Sequence, residues 1–205
     1  MSNTVRKPTP ATVRQPLPRM TVADFIAWPG DGTGRKFQLI DGEVRVMSPG
    51  STTYGRLQSR LASLIDRALL ASSSACDVIT EPGVAVQEGG GTNVRVPDLG
   101  VTCTPDTAGQ QLMPDPVLLI EVLSPSNVAD TRENVWAYRT IPSVREIAVV
   151  HSTRVLVELL RRGPGGNWPE VPERIGEGGT LSFEIIPFSC PLTDVYVRTH
   201  LGRRG

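Results

Sequence analysis

Two stretches of the chain each set one carboxylate in an apolar run. VRVPDLGVTC, residues 94–103, carries Asp98 directly after a proline, and PVLLIEVLSPSN, residues 116–127, carries Glu121 among aliphatics. An unpaired buried charge is costly, so each acid needs a partner. If neighbouring strands bring both to one face, the carboxylates repel, and one takes up a proton unless a cation neutralises them. A hard divalent ion, Mg²⁺ or Mn²⁺, bound through oxygens would resolve that conflict. The backbone carbonyl of Val122 offers a further oxygen. The spacing is equally compatible with strand-end acids that face solvent, or with an ion pair between Asp98 and Arg95.

The elements that must position these acids follow from periodicity. Thr21 is an N-cap with Asp24 at the capping-box position, and it opens a short helix, VADFIAW, that stops at PGDGTG. RKFQLIDGEVRVMS, residues 35–48, is a hairpin about Asp41-Gly42. Leu57, Leu61, Leu64, Ile65 and Leu69 recur at helical spacing in the next segment. CDVITEPGVAVQ and VRVPDLGVTC read as two strands joined by EGGGTN, and PVLLIEVLS as a third, aliphatic enough to be central. NVADTRENVWAYRTI is a helix ending before Pro142; REIAVVH and RVLVELLRR are strands joined by a short turn. A turn-rich loop and the strand TLSFEII complete an α/β mixed sheet with helices packed on it.

At 205 residues the chain accommodates one domain with decorations, here drawn as a basic, proline-rich leader over 1–19, a single domain over 20–200 and a tail over 201–205. The leader holds four prolines and four basic residues without an acid, and reads as solvated or draped over the surface. The formal net charge of +0 excludes a strong global field for nucleic acid or membrane, though a local patch is enough to hold a few phosphates. Cys76, Cys103 and Cys190 share no short spacing, so they read as isolated thiols in a reducing compartment. No apolar run approaches transmembrane length and the N-terminus lacks a signal-peptide core, which together predict a cytoplasmic protein.

The Pro97-Asp98 pair, with a glutamate inside a later aliphatic strand, resembles the PD-(D/E)XK nuclease pattern. MTVADFIAWPG and RKFQLIDGEVRVMSPG, VPDLGVT, PVLLIEVLSPSN, ADTRENVWAYRTIPSVREIAVV and GGTLSFEIIPFSCPLTDVY resemble, in order, the segments of one branch, the Uma family of restriction endonucleases. The similarity runs from Thr21 to Tyr196. It implies a restriction-endonuclease-like mixed β-sheet core flanked by helices, with an added N-terminal helix and hairpin. It also implies metal-dependent hydrolysis of a phosphodiester, with Asp98 and Glu121 as ligands of Mg²⁺ or Mn²⁺, and double-stranded DNA as the expected substrate. A homodimer would suit two cuts in a duplex.

The chain departs from that pattern in three places. The superfamily lysine after the second acid is Leu123, and the family's lysine on the following helix, four residues before the residue matching Tyr138, is Asn134. Gln38 stands where the family often has glutamate, and Tyr54 where it has histidine. Arg132 lies roughly 200° and Arg139 about 140° around the helix from Asn134, which leaves Lys36 on the hairpin as the freer substitute cation.

Two functions follow. In one, Asp98 and Glu121 hold the metal, Gln38 and Asn134 orient water and substrate, and Tyr138 packs or donates nearby. In the other, the fold is kept without catalysis, as a nucleic-acid-binding or self-associating module. A third reading makes the acids solvent-facing residues of a β-rich scaffold, with no divalent-ion effect on stability. His151 and His200 have no ligand-like spacing, EGGGTN lacks a phosphate-loop ending, and Trp28, Trp136 and Trp168 are expected in the core or at a subunit contact.

Overall fold

The structure, a computed structural model, describes residues 19–86 and 93–202. Most of the leader, the connector over 87–92 and the last residues of the tail lie outside the described residues. In chain order the elements are α1 Val22–Ala27, β1 Phe37–Ile40, β2 Glu43–Val46, α2 Thr52–Ala71, β3 Asp77–Thr80, β4 Val84–Val86, β5 Asn93–Arg95 and β6 Leu99–Thr102. They continue as β7 Pro116–Leu123, α3 Val128–Tyr138, β8 Glu146–His151, β9 Val157–Arg161, β10 Glu173–Ile175, β11 Thr180–Phe183, β12 Phe188–Pro191 and α4 Leu192–Tyr196. The capping box at Thr21 forms as expected, with Thr21 and Asp24 each bonding the other's backbone N–H.

A six-stranded mixed sheet ordered β10-β9-β8-β7-β6-β3 carries the core, and β7 is central in it. β7 pairs with β6 antiparallel and with β8 parallel, α3 being the crossover between β7 and β8. The strand period of two divides β7 between the faces. Leu118, Ile120 and Val122 pack with the α2 stripe of Leu57, Leu61, Leu64, Ile65 and Leu69. Leu119 and Leu123 pack on the other face with Val135, Ala137 and Tyr138 of α3. Glu121 therefore emerges on the α3 side.

The structure corrects one feature of the strand reading. CDVITEPGVAVQ and VRVPDLGVTC are not two unbroken strands; each is divided at its proline into pieces in different sheets. β3 and β6 belong to the large sheet, while β4 and β5 join β1 and β2 in a four-stranded sheet ordered β2-β1-β5-β4. The pairing nevertheless keeps one register through the break, Thr80 opposite Leu99 and Val84 opposite Arg95. That register sets Pro82 opposite Pro97. Neither can donate to the ladder, so the hairpin creases there. Glu81 takes a positive φ of 50°, and its N–H bonds the Asp98 carbonyl at 3.0 Å.

The same register explains a second correction. Asp77 pairs with Thr102, which sets Cys76 against Cys103, and the two form a disulfide. Only Cys190 is a free thiol, and it is buried. Spacing along the chain could not reveal a pair that is made by strand register. Of the two places expected for the tryptophans, Trp136 is not in the core: it is 67% exposed on the outer side of α3. His151 ends β8 as expected but is buried, its Nε2 3.0 Å from Glu158. Among the described residues no helix is long and apolar enough to cross a membrane.

Candidate active site

The crease places Asp98 just before β6, beside β7 where the β6 ladder has ended. Leu99 pairs with Ile120, so the Val122 N–H lies beyond the last β6 partner. Asp98 Oδ2 accepts that N–H at 2.5 Å, and so completes the ladder with a side chain. Asp98 Oδ1 accepts the hydroxyl of Tyr54, from the first turn of α2. Gln58, one turn on, donates to the Asp98 carbonyl at 3.1 Å. The proposed Asp98–Arg95 pair does not form: Arg95 turns instead to α3, where it meets Glu133 and Asn134.

Glu121 is held from α3. Asn134 and Tyr138 are four residues apart and share one helix face, as the periodicity implies. Asn134 Nδ2 donates to Glu121 Oε1 at 3.1 Å, and the Tyr138 hydroxyl donates to the same oxygen at 2.7 Å. The Asp98 and Glu121 carboxyl groups are close enough for the charge of one to act on the other. The structure brings the two acids together in the interior, at 2% and 4% exposure. Solvent-facing acids, the third alternative, are ruled out by that burial.

Burial is the main force on both acids. It raises the Asp98 carboxyl to about 6, against the pull of Tyr54, the Val122 N–H, Glu121 and the Lys36 charge. It raises Glu121 well above its ordinary range, with the Asp98 charge adding to the rise and Tyr138 and Asn134 opposing it. Without a cation, both acids hold a proton more readily than free carboxyl groups do. Burial, followed by the charge of Asp98, holds Tyr54 protonated as a donor, and burial with the charge of Glu121 does the same for Tyr138.

A cavity of about 40 Å³ adjoins Glu121, bordered also by Gln38, Ser48, Tyr54, Thr131 and Asn134, with Asp130 on its lining. It can hold a water or an ion but not a nucleotide. Gln38, on β1, is 5% exposed and its Oε1 has no hydrogen-bond partner. Two carboxylates and a free amide oxygen form an all-oxygen donor set, which suits a small hard cation that keeps much of its water. Among the described residues no cluster of three His, Cys, Asp or Glu is gathered. The Val122 carbonyl is engaged, accepting Asn127 Nδ2 at 3.1 Å.

An open groove of about 630 Å³ shares Ser48, Met47 and Tyr54 with this cavity and is bordered by Arg35 and Lys36. Lys36 is paired with Glu81 there. Arg132 points away from the acids, as its helical phase requires, and grips Glu158 through two bonds of 2.5 and 3.1 Å. Sequence reasoning found the acids and the Gln38, Tyr54, Asn134 and Tyr138 positions. It missed Asp130, Gln58 and the role of Arg95, because each depends on how α2, α3 and β5 meet.

A mixed sheet between two helices, with paired acids at the end of one strand and inside the next, defines a restriction-endonuclease-like nuclease fold. The crystal structure of a putative nuclease belonging to DUF820 from Anabaena variabilis superposes with a TM-score of 0.68 over 86% of this chain and 97% of that one, at 15% identity. A protein of Synechocystis sp., itself uncharacterized, is 28% identical over 155 residues, which is 75% of this chain and 80% of the relative. The family model described as Uma2, putative restriction endonuclease, matches residues 22–193. The chain belongs to the Uma2 family.

Proposed function

We propose that the protein is a metal-dependent endonuclease that hydrolyses phosphodiester bonds, with double-stranded DNA as substrate. One observation carries this reading: Glu121 and the unpartnered Gln38 oxygen border one small cavity, and the equally buried Asp98 is near enough for its charge to act on Glu121. Asp98 and Glu121 would hold Mg²⁺ or Mn²⁺, with Gln38 completing the oxygen set. When bound, the ion supplies charge stabilisation of the phosphate and a more acidic water as nucleophile. Asn134 and Gln38 orient that water. Tyr54 and Tyr138 hold Asp98 and Glu121 in place and, being protonated, donate rather than compete for a proton. Arg35 and Lys36 attract the phosphate backbone along the groove.

A non-catalytic relative that binds nucleic acid or self-associates is the second reading. Asn134 favours it, since an amide brings no charge to the transition state. Two-fold association is proposed in either case, with the exposed Trp136 and Val171 beside one groove as its apolar surface. Thermal unfolding with and without millimolar Mn²⁺, on the native chain and on Asp98→Ala and Glu121→Ala, tests the metal site. A ligand bound only by the folded state raises the midpoint, by about 2.7 kcal/mol at a hundredfold excess over Kd. The rise is expected in the native chain alone, and a nuclease assay on a DNA duplex then separates the two readings. A flat response in the native chain would remove the nuclease mechanism.

A further inference from the structure

Asn134 offers two different faces to Glu121, an amide oxygen and an amide NH₂. Only the second can donate to Glu121 Oε1, the oxygen that also accepts the Tyr138 hydroxyl, so something must fix the orientation. Arg95, the last residue of β5, is 4% exposed and directs its guanidinium at this amide. Its Nη1 donates to Asn134 Oδ1 at 3.3 Å, and its Nη2 to Glu133 Oε1 at 3.0 Å. Glu133 is tied in turn to Arg45 on β2, 3.4 Å away. A guanidinium has donors only. Its Nη1 is met by the Asn134 oxygen and by no other face of that amide, which leaves the NH₂ for Glu121, while its buried Nε has no partner.

We propose that Arg95 is a positioning residue of the candidate site: it fixes the Asn134 amide so that its N–H donates to Glu121, and supplies from β5 the positive charge that residue 134 lacks. The chain from Arg45 through Glu133, Arg95 and Asn134 to Glu121 joins the small sheet, α3 and β7. Replacing Asn134 by lysine would set an ammonium against the guanidinium, so the cation is placed at one position or the other. The catalytic meaning of this inference rests on the proposed nuclease reading; the orientation of Asn134 does not.

The test uses the full chain without metal and follows the Asn134 side-chain NH₂ by ¹⁵N NMR, assigned through Asn134→Ser. In the native protein one of its protons is expected to be held by Glu121 and to exchange slowly. Arg95→Met should speed that exchange at least tenfold, by about the factor that one lost hydrogen bond allows, and Arg95→Lys should restore part of the protection. Mn²⁺ affinity should fall by about 10–100-fold in Arg95→Met, the range for loss of a residue that orients a ligand. An unchanged Asn134 signal in folded Arg95→Met overturns the inference. If the methionine variant does not fold, Arg95→Lys decides by the same signal, full native protection counting against a role for the forked geometry. Should the native chain bind no metal and cut no DNA, the nuclease reading fails while the amide signal still decides on Arg95. Should metal bind equally well to Arg95→Met, the inference fails and the nuclease reading stands.

Discussion

Each acid of the site is held by neutral donors, and this sets how the protein responds to pH. Burial raises Asp98 to about 6 and Glu121 well above its ordinary range, so both folded values lie above those of the unfolded chain. The folded state then binds more protons than the unfolded one, and stability is lost as pH rises. Without divalent ions the stabilisation contributed by Asp98 should be largest below about pH 4 and fall by on the order of 2–3 kcal/mol by pH 8, at about 1.4 kcal/mol per unit. Urea unfolding across that range measures it. Glu121→Gln should flatten the profile, stabilise the metal-free protein at pH 8 and abolish the response to Mn²⁺. Tyr138→Phe removes a donor from a buried carboxyl and should cost about 1–3 kcal/mol, read by the same unfolding curves. Asn134→Lys, the obvious repair toward the family pattern, should by itself destabilise the protein beside Arg95, and should raise cleavage of duplex DNA only together with Arg95→Met.

The hairpin from β3 to β6 and the crossover from β7 to β8 are the two elements that make the site. The disulfide ties the far end of the hairpin, away from the crease, closing a loop with a sequence separation of 27. Reduction should cost about 2–4 kcal/mol of stability and leave the Mn²⁺ response intact, because Thr80, Leu99 and Asp98 are held by the ladder and by Val122. Thermal unfolding with and without reductant, at fixed Mn²⁺, checks both halves. Much of this architecture was legible in the sequence. Leucines at helical steps marked α2, and an aliphatic run marked β7 as central, since both patterns are imposed by burial itself. The division of the hairpin between two sheets was not read, because the apolar alternation continues across Pro82 and Pro97 and only their opposition breaks the ladder. The donors around the acids were partly legible: Tyr138 and Asn134 share a helix face, whereas Arg95 meets Asn134 only through the packing of β5 on α3.

Across the whole molecule, α2 and α3 clamp the central sheet, one with an apolar stripe and the other with the polar groups of the site. Leu61 is fully buried between α2 and the sheet. Leu61→Ala should cost about 2–5 kcal/mol in chemical unfolding, while Mn²⁺ still raises the midpoint, because the acids lie toward α3 and the start of α2. Trp136→Glu tests the proposed association: sedimentation should shift from dimer to monomer with the metal response unchanged.

The opposed prolines also fix where the chain can change its length. Strand pairing has a period of two, so one extra residue between Thr80 and Val84, or between Arg95 and Leu99, would turn over the alternation on one side of the crease and carry Asp98 away from the Val122 N–H. Residues added between β4 and β5 lie past both sheets' fixed pairs and leave that geometry untouched. Insertion tolerance therefore differs sharply along a single hairpin: its connector is open to variation in length, while the crease admits none without loss of the carboxylate pair.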